Sequence, residues 1–365
     1  MGHGLFWDPA VHWGFQIAVY LFLGGLAGGS YITGYVADVL STRTAIEEEY
    51  VARRETARWG MYVAVASIGV GGIALLTHLG VPLRALYFPL TFTNYGSWMV
   101  IGTWAIIIFT LWTFGQAFWY TFGGAIEGEA GTSLVFRHLL SKYVRMDPGG
   151  PGRSFIVRVL DTIADITRPP RSHWLVYGAL GAGLAALLIA YTALLISAVD
   201  TVALWNRAYL PLIFLMSGLS TGIAAATGLT MLFEGLSETV HQYSLADDAI
   251  IVVELLIIGA LLATLDGQGL SGEITMYLIN GPQALLFWGA IIVGGLLLPV
   301  VVSLIMTTIC YPEGHEALSE RMHDLIHAGF VAKYALVLMG GFFLRFVLLL
   351  VAVQQPFVPI GVPGV

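Results

Sequence analysis

Charged residues are scarce in this sequence. Asp, Glu, Lys and Arg make up 11% of the 365 residues, whereas hydrophobic residues make up 57%. A soluble globular domain carries roughly 25% charged residues, so the composition excludes an ordinary soluble protein. The sequence also lacks a basic tract of the kind that binds nucleic acid. The composition therefore indicates an integral membrane protein, whose surroundings are the lipid membrane. We expect no nucleic-acid partner.

Redox and metal ligands are also few. The single cysteine, Cys310, allows neither an internal disulfide nor a four-cysteine iron–sulfur cluster. The nine histidines fall in loops or near the ends of apolar stretches, and no pair is placed to hold a haem in mid-bilayer. The start of the sequence has no basic segment ahead of an apolar core, so we expect no cleavable signal peptide. We predict no haem, no iron–sulfur cluster and no metal in this protein.

Eight apolar stretches are long enough to cross a bilayer, which takes about 20 mainly apolar residues. Their approximate limits are 11–39, 58–79, 96–123, 174–199, 208–233, 248–265, 282–309 and 329–353. The sequence therefore predicts an all-α, polytopic membrane protein with about eight transmembrane helices and one integral membrane domain over 1–365.

Basic residues are concentrated on one side of the predicted spans. They are Arg43, Arg53, Arg54 and Arg58 after the first span, seven residues from Arg137 to Arg171 after the third, and Arg321 and Lys333 after the seventh. Only Arg84 and Arg207 are found on the other side. The positive-inside rule then makes the odd-numbered loops cytoplasmic and places both termini outside the cell (inner) membrane. Within the cytoplasmic loop 124–173, residues 154–163 have the pattern of an amphipathic helix on the membrane surface.

The first span begins with a polar row on one helix face. His12, Gln16 and Tyr20 are four residues apart, and the same face continues as Gly24 and Gly28. Polar groups are costly in lipid, so such a row marks either a ligand site or a pathway. The alternative is that these residues form an aromatic belt and a helix-packing seam.

Further polar residues lie at the same end of the next spans. His78 ends the second span, Trp98 begins the third, and Tyr191 and Asp200 lie at the outer end of the fourth. Such a cluster above an apolar bundle suits an amphipathic ligand whose tail enters the lipid. A quinone fits this description, because its carbonyls need hydrogen-bond donors and its reduction to quinol needs two protons. These residues also have a plainer interpretation as helix caps and interface anchors.

The inner half of the membrane region contains its own ionisable residues. Glu234 ends the fifth span, Glu254 lies inside the sixth, and Arg345 lies deep in the eighth. A buried arginine needs a partner or water, and Glu254 or Asp266 is a candidate for that role. These residues form either a proton path or a structural ion pair. If the protein handles quinone, a partner with a redox cluster must dock at the outer face, because this sequence provides no centre that stores electrons.

Several short motifs resemble the NrfD-type, polysulfide reductase membrane-subunit family. They are YLFLGGLAGGS at 20–30, THLGVPLR at 77–84, AYTALL at 190–195, LPLIFLMSGL at 210–219 and GGFFLR at 340–345. At the second motif the family commonly has DLGRP, so His78 replaces an acid and Val81 replaces a basic residue. Each motif is short, but their order and spacing extend over most of the spans.

This resemblance implies two four-helix bundles and a quinone pocket, with menaquinone expected, near the outer face. It also implies a ferredoxin-like iron–sulfur subunit and a catalytic subunit, often a molybdopterin enzyme, so that this protein alone is not catalytic. In the family, a histidine, an asparagine and a tyrosine line the pocket. Their counterparts here are Tyr20, Gln16 and Tyr191, and we expect His78 to act with the two tyrosines.

Two other functions compete with the quinone-reactive anchor. One is a secondary transporter or ion translocator that uses Glu254 and Arg345. Many transporters have helices broken by Gly or Pro at the midplane in both halves, whereas here prolines fall mostly at span ends or in loops, apart from Pro299 in the seventh span. The other is a purely structural anchor.

Overall fold

A computed structural model describes residues 15–78, 87, 94–122, 155–198, 202, 204–266, 269–310 and 320–354, and these are helices and their connections. The helices are α1 (Phe15–Ser41), α2 (Glu47–His78), α3 (Trp98–Thr121), α4 (Phe155–Thr167), α5 (Arg171–Ile196), α6 (Leu210–Glu234), α7 (Glu238–Leu265), α8 (Leu270–Asn280), α9 (Leu298–Cys310) and α10 (Glu320–Gln354). A π-helical segment, Leu286–Leu297, runs directly into α9. Eight helices in the described part are long and apolar enough to cross a membrane, which confirms the predicted class.

The eight spans form two groups of four. In the first bundle, α1, α2, α3 and α5 pack in a ring, because α1 contacts α2 and α5 while α3 contacts the same two helices. In the second bundle, α6, α7, α9 with its π-helical segment, and α10 form an equivalent ring. This pattern confirms the expected pair of four-helix bundles. We call the end of the molecule where α1 begins the N face, and the opposite end the basic face.

Three helices begin about ten residues earlier than hydropathy predicts. Helix α2 begins at Glu47 rather than near 58, α7 begins at Glu238 rather than near 248, and α10 begins at Glu320 rather than near 329. The first turn of α2 holds three glutamates, which suit the positive end of a helix dipole, and Ser237 caps α7 by accepting from the Val240 amide. Hydropathy detects only the apolar part of a helix, so it misses first turns that consist of polar residues.

The early starts correct the assignment of several basic residues to loops. Arg53, Arg54 and Arg58 lie within α2, and Lys333 lies within α10 with no exposed surface. The predicted amphipathic helix is present as α4, with Val159, Ile163 and Ile166 exposed.

Helix α1 is the central element, since it packs against α2, α5, α6 and α10. Its contact with α6 is made by backbone, because a Cβ atom at Gly29 would overlap the Gly218 carbonyl and a Cβ at Gly222 would overlap Gly29. Its contact with α2 is similar, because a Cβ at Gly60 would lie 2.6 Å from the Ser30 carbonyl oxygen. Small residues allow this close approach, which gives dispersion contacts that lipid cannot replace.

The basic face of the first bundle is closed by a buried ionic cluster. Asp38 of α1 accepts a hydrogen bond from Arg54 of α2 at 2.6 Å and another from the indole nitrogen of Trp174 in α5. The Arg54 guanidinium also lies 5.4 Å from the ring centre of Tyr120 in α3. Arg168, which follows α4, donates to the Trp119 carbonyl at 3.0 Å and so fixes α4 to the end of α3. All four helices of the bundle are therefore joined at this end.

We expect Gly29→Ala and Gly222→Ala to destabilise the protein, because each added methyl group meets backbone that cannot move aside. Overpacking typically costs about 1–3 kcal/mol. Thermal unfolding in detergent measures the effect, with Gly183→Ala as the control because nothing lies within 4 Å of a Cβ there. Equal unfolding temperatures for all three variants would show that the α1–α6 contact is not tight.

Candidate functional site

Two tyrosines meet inside the first bundle near the N face. The Tyr20 hydroxyl of α1 and the Tyr191 hydroxyl of α5 form a hydrogen bond with each other. Only 6% of Tyr20 and 2% of Tyr191 is exposed. The structure thus brings together two of the residues that the sequence predicted for one site.

A third helix positions this pair. A Cβ atom at Gly102 of α3 would overlap the ring of Tyr191, so the ring occupies the space that a side chain would fill. Helices α1, α3 and α5 consequently meet around the two phenols. Larger side chains at 102 would push Tyr191 away from Tyr20.

Open space lies next to the pair on α1. Gly24 is buried and follows Tyr20 by about one turn on the same face, yet no atom of the described residues lies within 4 Å of a Cβ built there. One turn further, a Cβ at Gly28 would lie 2.7 Å from Cγ1 of Ile189. The tyrosine pair therefore has a small void beside it, which Ile189 closes toward the basic face.

The other predicted site residues have different surroundings. Gln16 lies one turn above Tyr20 and is partly exposed, which places its amide at the N-face side of the pair. Trp98 begins α3 with 37% of its surface exposed, a position typical of an interfacial aromatic residue. His12, Asp200 and the side chain of His78 lie outside the described residues.

A second polar pair lies deeper in the first bundle. The Tyr31 hydroxyl donates to the Gln116 side-chain oxygen, and both residues are buried. Tyr31 follows Tyr20 by 11 residues, about three turns, and so shares its helix face. The sequence analysis did not single out this pair, although the continued spacing along α1 was a usable signal.

Arg345 is fully buried in the second bundle. Its Nη1 atom donates to the Ser217 hydroxyl at 3.1 Å and to the Gly341 carbonyl at 2.7 Å. The guanidinium lies 5.1 Å from the ring centre of Phe214 and packs against Gly25, where a Cβ would be 3.2 Å from the guanidinium carbon. A side chain in place of Gly25 would displace this charge.

Glu254 faces the same serine. Its side chain lies near Ser217, and its negative charge interacts favourably with the Arg345 guanidinium. It is 2% exposed, so it supplies buried negative charge to balance the guanidinium. Glu234 is not part of this group, because it is exposed at the basic face in a cleft that Glu47 and Glu48 also line. Asp266, the other proposed partner, is exposed just after α7.

A buried lysine forms another cluster in the second bundle. Lys333 donates to Asp248 at 2.6 Å and to the Ser244 hydroxyl at 2.6 Å, and it lies 3.7 Å from Asp247. Sequence analysis missed this cluster because it placed Lys333 with the loop residues. A lysine inside an apolar stretch was itself the signal for a buried partner. Among the described residues, no group of His, Cys, Asp and Glu is arranged to hold a metal ion.

The fold and these buried polar groups define a multi-pass membrane protein with ionisable side chains inside both bundles. The family model described as polysulphide reductase, NrfD matches residues 5–357. The protein therefore belongs to that family, as the sequence motifs predicted.

Individual relatives agree with this assignment. The C subunit of polysulfide reductase from Wolinella succinogenes is 30% identical over 352 residues, which cover 93% of each of the two proteins. The protein NrfD homolog of Haemophilus influenzae is 26% identical over 310 residues, 82% of this protein and 85% of the relative. Protein NrfD of Escherichia coli is 28% identical over 217 residues, 59% of this protein and 58% of the relative.

We expect Arg345→Leu to destabilise the folded protein, because it leaves the Glu254 carboxylate buried without its cation. Breaking a buried ion pair by removing one partner typically costs about 3–5 kcal/mol. The double variant Arg345→Leu/Glu254→Leu should lose less stability than the single Arg345→Leu variant. Denaturant unfolding in mixed micelles measures both, with exposed Arg43→Leu as the control. Equal stability of Arg345→Leu and the wild type would contradict this electrostatic link.

Proposed function

We propose that this protein is the quinone- and quinol-reactive membrane subunit of a respiratory oxidoreductase complex. The observation that carries the proposal is the hydrogen-bonded Tyr20–Tyr191 pair beside the void at Gly24. Family membership supports the role of a membrane anchor in a redox complex. The quinone type that we expect is menaquinone.

The residues present fit a quinone head group. Its carbonyl oxygens need hydrogen-bond donors, which phenol hydroxyls and the Gln16 amide provide. The void at Gly24 gives space next to those donors. The pair lies within membrane-spanning helices, so the isoprenoid tail of a bound quinone would extend from it toward the lipid.

The tyrosine pair retains one hydrogen-bond donor for a ligand. Each hydroxyl carries one hydrogen, and the bond between Tyr20 and Tyr191 uses one of the two. The remaining O–H is available to donate to a ligand oxygen and to hold or release a proton there. A bound quinone supplies the two-electron, two-proton chemistry that the protein itself lacks. Burial of both phenols excludes bulk water and so strengthens each hydrogen bond.

The proposed quinone chemistry requires partner subunits that carry a redox centre. With Cys310 as its single cysteine, the protein cannot bind a cysteine-ligated cluster of its own. The Wolinella relative is named as one part of polysulfide reductase, a name that indicates an assembly. We propose a ferredoxin-like iron–sulfur subunit and a catalytic subunit, a molybdopterin enzyme, that dock at the N face. In this orientation the N face is extracytoplasmic and the basic face is cytoplasmic, in agreement with the distribution of Lys and Arg.

A second candidate function, ion translocation, is favoured by one observation. Arg345, Glu254 and Lys333 are buried within membrane-spanning helices, where charge is costly to maintain. Proton movement by this route is compatible with a quinone-reactive anchor.

Removal of either phenol hydroxyl tests the quinone site. We expect Tyr20→Phe and Tyr191→Phe to lower quinol oxidation by the purified complex about tenfold or more, a usual loss for a positioned proton-transfer group. Tyr177→Phe in α5 is the matched control, because Tyr177 stacks on Trp112 away from the pair. If both variants oxidise quinol at the wild-type rate, the pair is not the site.

The void at Gly24 gives a separate test. We expect Gly24→Leu to assemble and to raise the KM for a short-tailed menaquinol, because the side chain fills space that the head group needs. Gly24→Ala should show a smaller effect in the same direction. Gly183→Leu in α5 is the control, since its side chain points into open space. A folded Gly24→Leu variant with wild-type KM would place the head group elsewhere.

A further inference from the structure

The second bundle contains ionisable groups that the proposed quinone site does not use. Asp247 and Asp248 of α7 both face Lys333 of α10, and the bundle buries this lysine completely. Ser244 accepts from the ammonium group through its hydroxyl and its carbonyl, and its hydroxyl lies 3.1 Å from that of Ser303 in α9. Three helices of the second bundle thus meet around one ammonium ion.

Formal charge does not balance in this cluster. One ammonium faces two carboxylates, so the fully ionised cluster carries a net negative charge inside a membrane-spanning bundle. The Oδ1 atom of Asp247 accepts from Ser220 at 2.6 Å, while its Oδ2 atom, 3.7 Å from the Lys333 ammonium, has no hydrogen-bond partner among the described residues. Uncompensated buried charge is costly, and a proton on Asp247 removes it.

The cluster continues toward mid-membrane. Glu254 follows Asp247 by seven residues, about two turns, and both are on the buried face of α7. On α6, Ser220 donates to Asp247, and Ser217, nearly one turn away, lies near Glu254. The carboxyl and hydroxyl groups therefore form one column along the interior of the second bundle.

Unpartnered polar atoms occur along this column. Besides Oδ2 of Asp247, the Nε and Nη2 atoms of Arg345 are buried with no hydrogen-bond partner in the part of the protein that the structure describes. Buried polar groups in native proteins are nearly always satisfied, by ordered water where protein groups do not reach them. We therefore expect water molecules in the column, which would also connect its carboxyl groups.

The two ends of the column differ. Asp248, on the part of α7 that leads to the basic face, is part-exposed, with 16% of its side chain accessible. At the other end, the Arg345 guanidinium lies against Phe214, and Trp205 donates to the Leu348 carbonyl. A fixed positive charge followed by apolar packing opposes the passage of a cation to the N face.

We propose that this column is a proton-binding half-channel that opens to the basic face. A proton leaves a hydronium ion at that face and forms an O–H bond on Asp247. It then moves through water to the Glu254 carboxylate, and Asp247 becomes charged again. No electron moves in these steps, and Lys333 and Arg345 hold the two carboxylates in place electrostatically. The proposal rests on the proposed function in one respect: the quinone reaction is what drives net uptake of protons through the column.

Carbodiimide labelling tests proton binding without quinone. Dicyclohexylcarbodiimide reacts with protonated carboxyl groups in apolar surroundings, and mass spectrometry of the purified complex locates the product. We expect labelling of Glu254 that decreases as pH rises and that slows about tenfold in Asp247→Asn, because proton delivery is interrupted. Glu234→Gln, at the exposed end of α6, should leave it unchanged. Unlabelled Glu254, or an equal rate in Asp247→Asn, overturns the proposal.

Coupled proton uptake gives the second measurement. The complex in sealed liposomes reduces a short-tailed menaquinone with an artificial electron donor, a reaction that takes up two protons per quinone, while a pH dye reports the protons taken from the basic side. We expect Asp247→Asn to keep quinone reduction in detergent within about twofold but to take fewer protons from the basic side per quinone reduced, whereas Lys333→Arg, which keeps the cation, should stay close to the wild-type ratio. An unchanged ratio in Asp247→Asn overturns the half-channel, and so does loss of quinone reduction in detergent by this variant when it is folded. A wild-type complex that reduces no quinone refutes the proposed function instead, and the labelling result then decides on the half-channel.

Discussion

The close glycine packing around α1 is the constraint on which the rest of the structure depends. Backbone of α1 touches backbone of α6 through Gly29, Gly218 and Gly222, and it touches α2 near Gly60. In a bilayer, apolar side chains gain little by leaving lipid for protein, so association depends on close contact of this kind. Because α1 belongs to one bundle and lies against the other, these contacts also determine how the two bundles fit together.

Helix α1 therefore separates two chemically different interiors. One face directs Tyr20 toward Tyr191 in the first bundle, where phenols and a void suit a neutral, hydrogen-bonding ligand. Another face presents Gly25 to the Arg345 guanidinium of the second bundle, where charge predominates. Hydrogen-bond donors without net charge favour a quinone head group, whereas carboxylates near a buried lysine favour proton binding. The division gives each bundle a distinct proposed role within one subunit.

Much of the fold could be predicted because membrane spans leave a strong hydropathy signal. The eight spans and the interfacial helix α4 followed from apolar length and amphipathic spacing. The starts of α2, α7 and α10 could not, since each of these helices begins with polar residues that hydropathy assigns to loops.

Contacts between helices could not be predicted from residue spacing alone. The spacing placed Tyr20 on one face of α1, but its contact with Tyr191 depends on Gly102, a glycine that no local pattern distinguishes. Lys333 lies within the predicted span 329–353, but its partners Asp247 and Asp248 are far away in the sequence, so spacing did not reveal the cluster.

The central claim is that a quinone head group binds between α1 and α5 beside the two tyrosines. Photo-crosslinking with an azido-menaquinone, followed by peptide mapping of the purified complex, measures this most directly. The account predicts labels on α1 near Gln16 to Gly24 and on α5 near Tyr191, both suppressed by excess menaquinone. Suppressible labels confined to α7, α9 and α10, with none on α1 or α5, would contradict it.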